Sequence, residues 1–122
     1  MHRVVAALIA AAVVLAVLLQ APAAFAHAAL VKAEPADGAV VVTAPSVLRL
    51  MFNEPVSPLA IRLFGPDGGT VSLGEVTAAN SAIAIQVPAL QNGTHVLSWR
   101  VISADGHPVG GSVVFSIGAP SG

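Results

Sequence analysis

The sequence predicts an all-β domain, an Ig-like, Greek-key β-sandwich of seven to eight short strands, behind a cleaved signal peptide. Three observations carry this. Apolar and polar side chains alternate along Val47–Asn53, Ala82–Val87 and Gly93–Ile102, and a period of two belongs to half-buried strands. Nine prolines and eleven glycines punctuate the chain, which favours short strands joined by turns. No helical period stands out after residue 26.

Residues 1–26 stand apart as a leader. Arg3 supplies a positive start, Val4–Leu19 is an unbroken apolar run, and Gln20 with Pro22 closes it. Ala24-Phe25-Ala26 then offers the small-x-small pattern of a cleavage site. The run is shorter than the roughly 20 residues a spanning helix needs, so cleavage is expected rather than anchoring. Ala21-Pro22-Ala23 and Ala26-His27-Ala28 are competing cut sites. The expectation is an exported, periplasmic or otherwise extracytoplasmic protein, soluble after cleavage, with its domain over 27–118 and a tail over 119–122.

Along the mature chain, Ala28–Ala33 reads as a first strand ended by the turn residues Glu34-Pro35-Ala36-Asp37-Gly38. Val40–Thr43 is a short extended piece. In Val47–Asn53, Leu48, Leu50 and Phe52 share one face, and Glu54-Pro55-Val56-Ser57-Pro58 breaks the strand. Ala60–Phe64 follows, then the turn Gly65-Pro66-Asp67-Gly68-Gly69 and weaker strands at Thr70–Leu73 and Glu75–Ala78. Ile83, Ile85 and Val87 point inward from the next strand, which Pro88 stops. Gly93–Ile102 is the longest, with Leu97, Trp99 and Val101 on one face. Trp99 is a core anchor, and His95, on the same face, a partly buried structural residue. In Ser112–Ile117, Val113, Phe115 and Ile117 pack inward while Ser112 and Ser116 face out.

Charge excludes some partners. Five Lys and Arg stand against six Asp and Glu, so no basic patch is available for nucleic acid and no acidic tail is present. No phosphate loop precedes a helix, and there is no haem motif. Ser103 lies near His107, but no base-orienting group or oxyanion hole accompanies it. No enzyme is expected.

The chemistry concentrates in Ser103-Ala104-Asp105-Gly106-His107-Pro108. Asp105 and His107 flank Gly106, and in extended chain residues at i and i+2 face the same way. Gly106 removes a crowding side chain and allows an unusual backbone angle. A solvated turn would look much the same, so further ligands decide the matter. Cleavage after Ala26 makes His27 the first residue, whose free α-amino group and Nδ1 can close a six-membered chelate ring. His27, Asp105 and His107 together supply nitrogen and oxygen donors that suit Cu(II). Structural zinc favours four Cys or His, and calcium favours more carboxylates. Cu(I) prefers sulfur, and past the leader only Met51 is present. Glu54, at a strand end, is a further carboxylate in position to be an outer ligand. The chain has no cysteine; either its sheets suffice, or a thiol beside oxidised copper would reduce it or compete for it.

These residues resemble the CopC copper-resistance family across nearly all of the mature chain: HAALVKAEPADGA from His27, LRLMFNEPV at Leu48–Val56, and WRVISADGHPVGGSVVFSI at Trp99–Ile117. The resemblance implies an exported copper-binding β-sandwich in which His27, Asp105 and His107 hold Cu(II) with the amino terminus. In some members a glutamate matching Glu54 lies at or near the metal. The methionine-rich Cu(I) stretch of some members has no counterpart, and His95 replaces a tyrosine usual at that strand start. The implied function is a copper carrier or scavenger in copper resistance, with a membrane copper transporter as a partner. The rival readings are an oxidative copper enzyme resembling lytic polysaccharide monooxygenases, and a plain interaction sandwich.

Overall fold

The computed structural model describes residues 5, 6, 9 and 27–121. Apart from helical Val5, Ala6 and Ile9, the leader lies outside the described residues, and with it the cleavage patterns at Ala21-Pro22-Ala23 and Ala24-Phe25-Ala26. Among the described residues no helix is long and apolar enough to cross a membrane.

From Leu30 onward the chain is all β. Its strands are β1 (Leu30–Glu34), β2 (Ala39–Val41), β3 (Val47–Phe52), β4 (Val56–Phe64), β5 (Thr70–Val71), β6 (Val76–Ala79), β7 (Ala82–Gln86), β8 (Gly93–Ser103) and β9 (Pro108–Ile117). Both weak segments after Phe64 pair, so nine strands form rather than seven or eight. They make a four-stranded sheet, β1-β3-β7-β6, and a five-stranded sheet, β2-β9-β8-β4-β5. The chain changes sheet repeatedly, as at β3–β4, β5–β6 and β7–β8, so strands distant in sequence become neighbours.

Alternation places the core. Leu48 and Leu50 of β3 and Ile83 and Ile85 of β7 are fully buried, as are Leu63, Leu97, Val101, Val113 and Phe115 of the other sheet. They form one cluster. Phe52 and Trp99 cross between the sheets edge to face, with ring centroids 5.2 Å apart and planes at 76°. The Trp99 indole N–H is buried without a hydrogen-bond partner among the described residues, so packing alone holds the ring. His95 is more deeply buried than expected: it is 1% exposed, its Nδ1 lies 3.2 Å from the Gly93 carbonyl oxygen, and it stacks on Phe115.

Three local expectations are corrected. The chain does break after β3, but β4 opens at Val56 rather than at Ala60, because Val56 pairs with Ser103 and Pro58 with Val101. A bulge between Pro58 and Ala60 absorbs the proline, which has no N–H for a regular ladder. β9 likewise begins at Pro108, pairing with Ile102. Ser116 faces out of the core yet is buried. Its hydroxyl pairs with that of Thr94, and Ser121 binds Thr94 twice: the Ser121 amide donates to Thr94 Oγ1 at 2.7 Å and Ser121 Oγ accepts from the Thr94 amide at 2.8 Å.

Gly111 gives the core its tightest test. A Cβ there would lie 2.7 Å from Trp99 Cζ2 and 3.0 Å from Cε2, and the same indole is already packed edge to face on Phe52. Gly111→Ala is therefore expected to destabilise the domain by about 1–3 kcal/mol, the usual cost of overpacking. Urea unfolding followed by Trp99 fluorescence measures it; an unchanged midpoint would show that the ring has room to move.

Candidate metal centre

The β8–β9 hairpin presents the first two candidate ligands. β8 ends at Ser103 and β9 begins at Pro108, and the loop closes through Ser103 N–H to the His107 carbonyl at 2.9 Å and Gly106 N–H to the Ser103 carbonyl at 2.9 Å. Asp105 and His107 thus sit on a tight turn, not on extended chain as their spacing had suggested. Gly106 takes φ +85°, a conformation that L side chains rarely adopt.

Hydrogen bonds fix the Asp105 carboxylate. Oδ1 accepts from the Ser103 hydroxyl and from the His107 amide at 3.2 Å; that amide also lies 3.2 Å from Ser103 Oγ. With Oδ1 so occupied, Oδ2 faces both imidazoles, 3.0 Å from His107 Nδ1 and 3.8 Å from His27 Nδ1. The bond from Ser103 holds the carboxyl well below the usual carboxylate range, and bonds and charge from His107 add to this against a desolvation that opposes it.

His27 arrives from the other sheet. Asn53, just after β3, clamps the segment before β1: its Oδ1 accepts from Ala29 N–H at 2.8 Å, its Nδ2 donates to the His27 carbonyl at 3.4 Å, and its own amide donates to the Ala29 carbonyl at 3.1 Å. The two imidazoles then meet edge to face, with centroids 5.8 Å apart. One ligand atom from each of His27, Asp105 and His107 lies within 4.8 Å of the other two. Donors bound at about 2 Å can be no more than about 4 Å apart across an ion. A shift of under an ångström, easy for imidazoles whose side chains are 57% and 64% exposed, brings them to bonding distance. The donor set fits a cation of the N,O type.

Glu54 stands next to this group, outside it. Its Oε1 accepts from the Ala104 amide at 3.3 Å, bracing the turn. His95 is not in the group either.

The model of the CopC domain family matches residues 30–118. This chain belongs to the CopC family. Copper resistance protein C of Xanthomonas campestris pv. juglandis is 34% identical over 116 residues, covering 86% of this chain and 91% of that protein. Copper transport protein CutJ of Bacillus subtilis is 32% identical over 104 residues, covering 80% of this chain but only 19% of that protein. The crystal structure of CopC from Methylosinus trichosporium OB3b superposes with a TM-score of 0.69 at 29% identity, over 77% of this chain and 95% of that one.

In this CopC domain, sequence reasoning missed two positioning residues. Ser103 reads in sequence only as a nucleophile, although Ser and Asp two apart are a common local hydrogen-bonding pair at turns. Asn53 passed as the end of a strand; an amide able to donate and accept at once was its one signal.

Because the native Asp105 pKa is depressed, its ionised form contributes stability above the unfolded pKa, near 3.9. That contribution fades as pH falls through the native value. Ser103→Ala removes the largest cause of the shift. NMR titration of the metal-free protein is expected to show the Asp105 midpoint rising toward the ordinary range; an unmoved midpoint would mean the hydroxyl does not hold the carboxylate.

Proposed function

We propose that this domain is an exported, non-enzymatic Cu(II) carrier or scavenger that serves copper resistance or homeostasis. Its ligands are His27 (imidazole and freed amine), Asp105 and His107. The observation that carries this is the convergence of those three side chains from opposite sheets on one exposed point. Membership of the CopC family and the names of its relatives support copper as the ion. Exposure supports exchange: solvent and a partner reach the site directly, as delivery of a bound ion requires. Nitrogen and oxygen donors favour the oxidised ion over Cu(I), so reduction favours release. Glu54 supports the site from outside by holding Ala104.

The fixed carboxylate argues against an oxygen-activating role, because Asp105 Oδ2 lies between the histidines where oxygen chemistry wants an open position. Export by the leader would place the domain in the periplasm or another extracytoplasmic space. A membrane copper transporter is a fitting recipient, and the match to part of a much longer copper transport protein favours it.

Cu(II) titration of the protein starting at His27, read by quenching of Trp99, is expected to show one tight equivalent. His107→Ala or Asp105→Ala should abolish tight binding, and Asn53→Ala should weaken it by roughly 10–100-fold, the usual cost of losing an outer-shell partner. Affinity should fall from pH 8 to pH 5, since imidazole and amine bind only when deprotonated. Asp105, with its low pKa, stays ionised over that range and contributes nothing to the fall. Ascorbate should release the metal. Affinity that ignored pH, or survived loss of His107, would refute the assignment.

A further inference from the structure

The outer face of the five-stranded sheet carries a charge pattern that the copper site does not use. β4, β8 and β9 contain no Asp or Glu, and all six carboxylates of the chain, Glu34, Asp37, Glu54, Asp67, Glu75 and Asp105, lie on other elements. Two of the five basic residues, Arg62 and Arg100, project from this face, both exposed. Register makes them diagonal neighbours: Arg62 pairs with Ser98 and Arg100 with Ala60, a spacing of about 7–8 Å. Among the described residues neither guanidinium has a carboxylate within ion-pair distance.

The face is also shaped to receive chain. Ala60 and Ser98 lie low between the arginines, and with Arg62, Phe64 and Arg100 they line a groove of about 310 Å³. Gly110, opposite Arg100, clears its stem, since a Cβ there would lie 3.1 Å from Arg100 Cγ. The groove ends on an apolar row in which Phe64 and Val114 flank Val96. Arg100 is three residues before Ser103, about 10 Å along the strand, so an occupant here lies beside the metal-bearing turn.

Resting on the copper-carrier reading, we propose that this face docks an acidic protein segment of the partner with which the site exchanges copper. Its carboxylates would engage Arg62 and Arg100, and an apolar residue would rest on the Phe64–Val96–Val114 row. Two uncompensated guanidiniums repel each other, and their planar forks match carboxylates. An anionic membrane surface is disfavoured. Polybasic membrane segments carry 4–8 Lys or Arg, whereas this face has two, on a domain whose remaining surface is acidic.

The test uses the metal-free protein starting at His27 and two synthetic probes, a decameric glutamate peptide and the same peptide with one central phenylalanine. NMR titration at low salt is expected to shift amides around Arg62, Val96, Ser98 and Arg100, with the phenylalanine peptide tighter. Arg62→Glu/Arg100→Glu, both exposed and outside the copper site, should weaken binding about tenfold or more, and salt should weaken it through screening. Shifts elsewhere, binding indifferent to the double variant, or preferential binding to phosphatidylglycerol vesicles over both peptides would overturn the proposal. A copper titration of the same variant separates the two readings. Intact copper affinity with lost peptide binding supports docking. Absent copper affinity in the parent protein overturns the carrier reading, and with it the partner's role in copper exchange, while leaving the peptide result to be read for itself.

Discussion

Two chain segments far apart in sequence, 27–29 and 103–107, must lie side by side for the three candidate ligands to converge, and backbone pairing does this. β1 is registered on β3, with Leu30 opposite Phe52, and β4 on β8, with Val56 opposite Ser103. The residues between the ends of those pairings are Asn53, Glu54 and Pro55. Asn53 grips the His27 side and Glu54 the hairpin side. One short link between sheets therefore sets the distance across the site from both directions.

The core below makes that link rigid. Phe52 precedes Asn53 directly and packs on Trp99, four residues before Ser103 on β8. Stiffness under the site and exposure at it divide the labour. The carboxylate is locked by Ser103 and by the His107 amide, while the two imidazoles lie largely in solvent, a small movement away from coordinating distance.

Much of this was legible in the sequence, for physical reasons that differ by residue. Leu48, Leu50, Ile83, Ile85, Leu97 and Val101 announced their burial because a sheet with one solvated face enforces alternation. Asp105 and His107 stand out as candidate ligands about a glycine, although a turn and not extended chain brings them together. The opening of β4 was hidden because Pro55 and Pro58 read as breakers, and only a bulge in three dimensions makes room for Pro58. Ser116 reads as solvated because its partner is Thr94 on the neighbouring strand, a tertiary contact with no local signal. Asn53 and Ser103 were overlooked for a shared reason. Their work is to aim other groups, and spacing alone does not display it.

The measurement that bears most directly on the site is a comparison of two processed proteins, one beginning at His27 and one carrying a single alanine ahead of it. The extension adds one methyl side chain, turns the His27 amine into an amide and moves the free amine one residue away, leaving every other side chain the same. Competitive Cu(II) titration with parallel electron paramagnetic resonance should show the extended protein weakened by more than the roughly 10–100-fold that loss of an outer-shell partner costs, with altered nitrogen hyperfine structure. Equal affinity and identical spectra would contradict a copper site closed by the freed terminus.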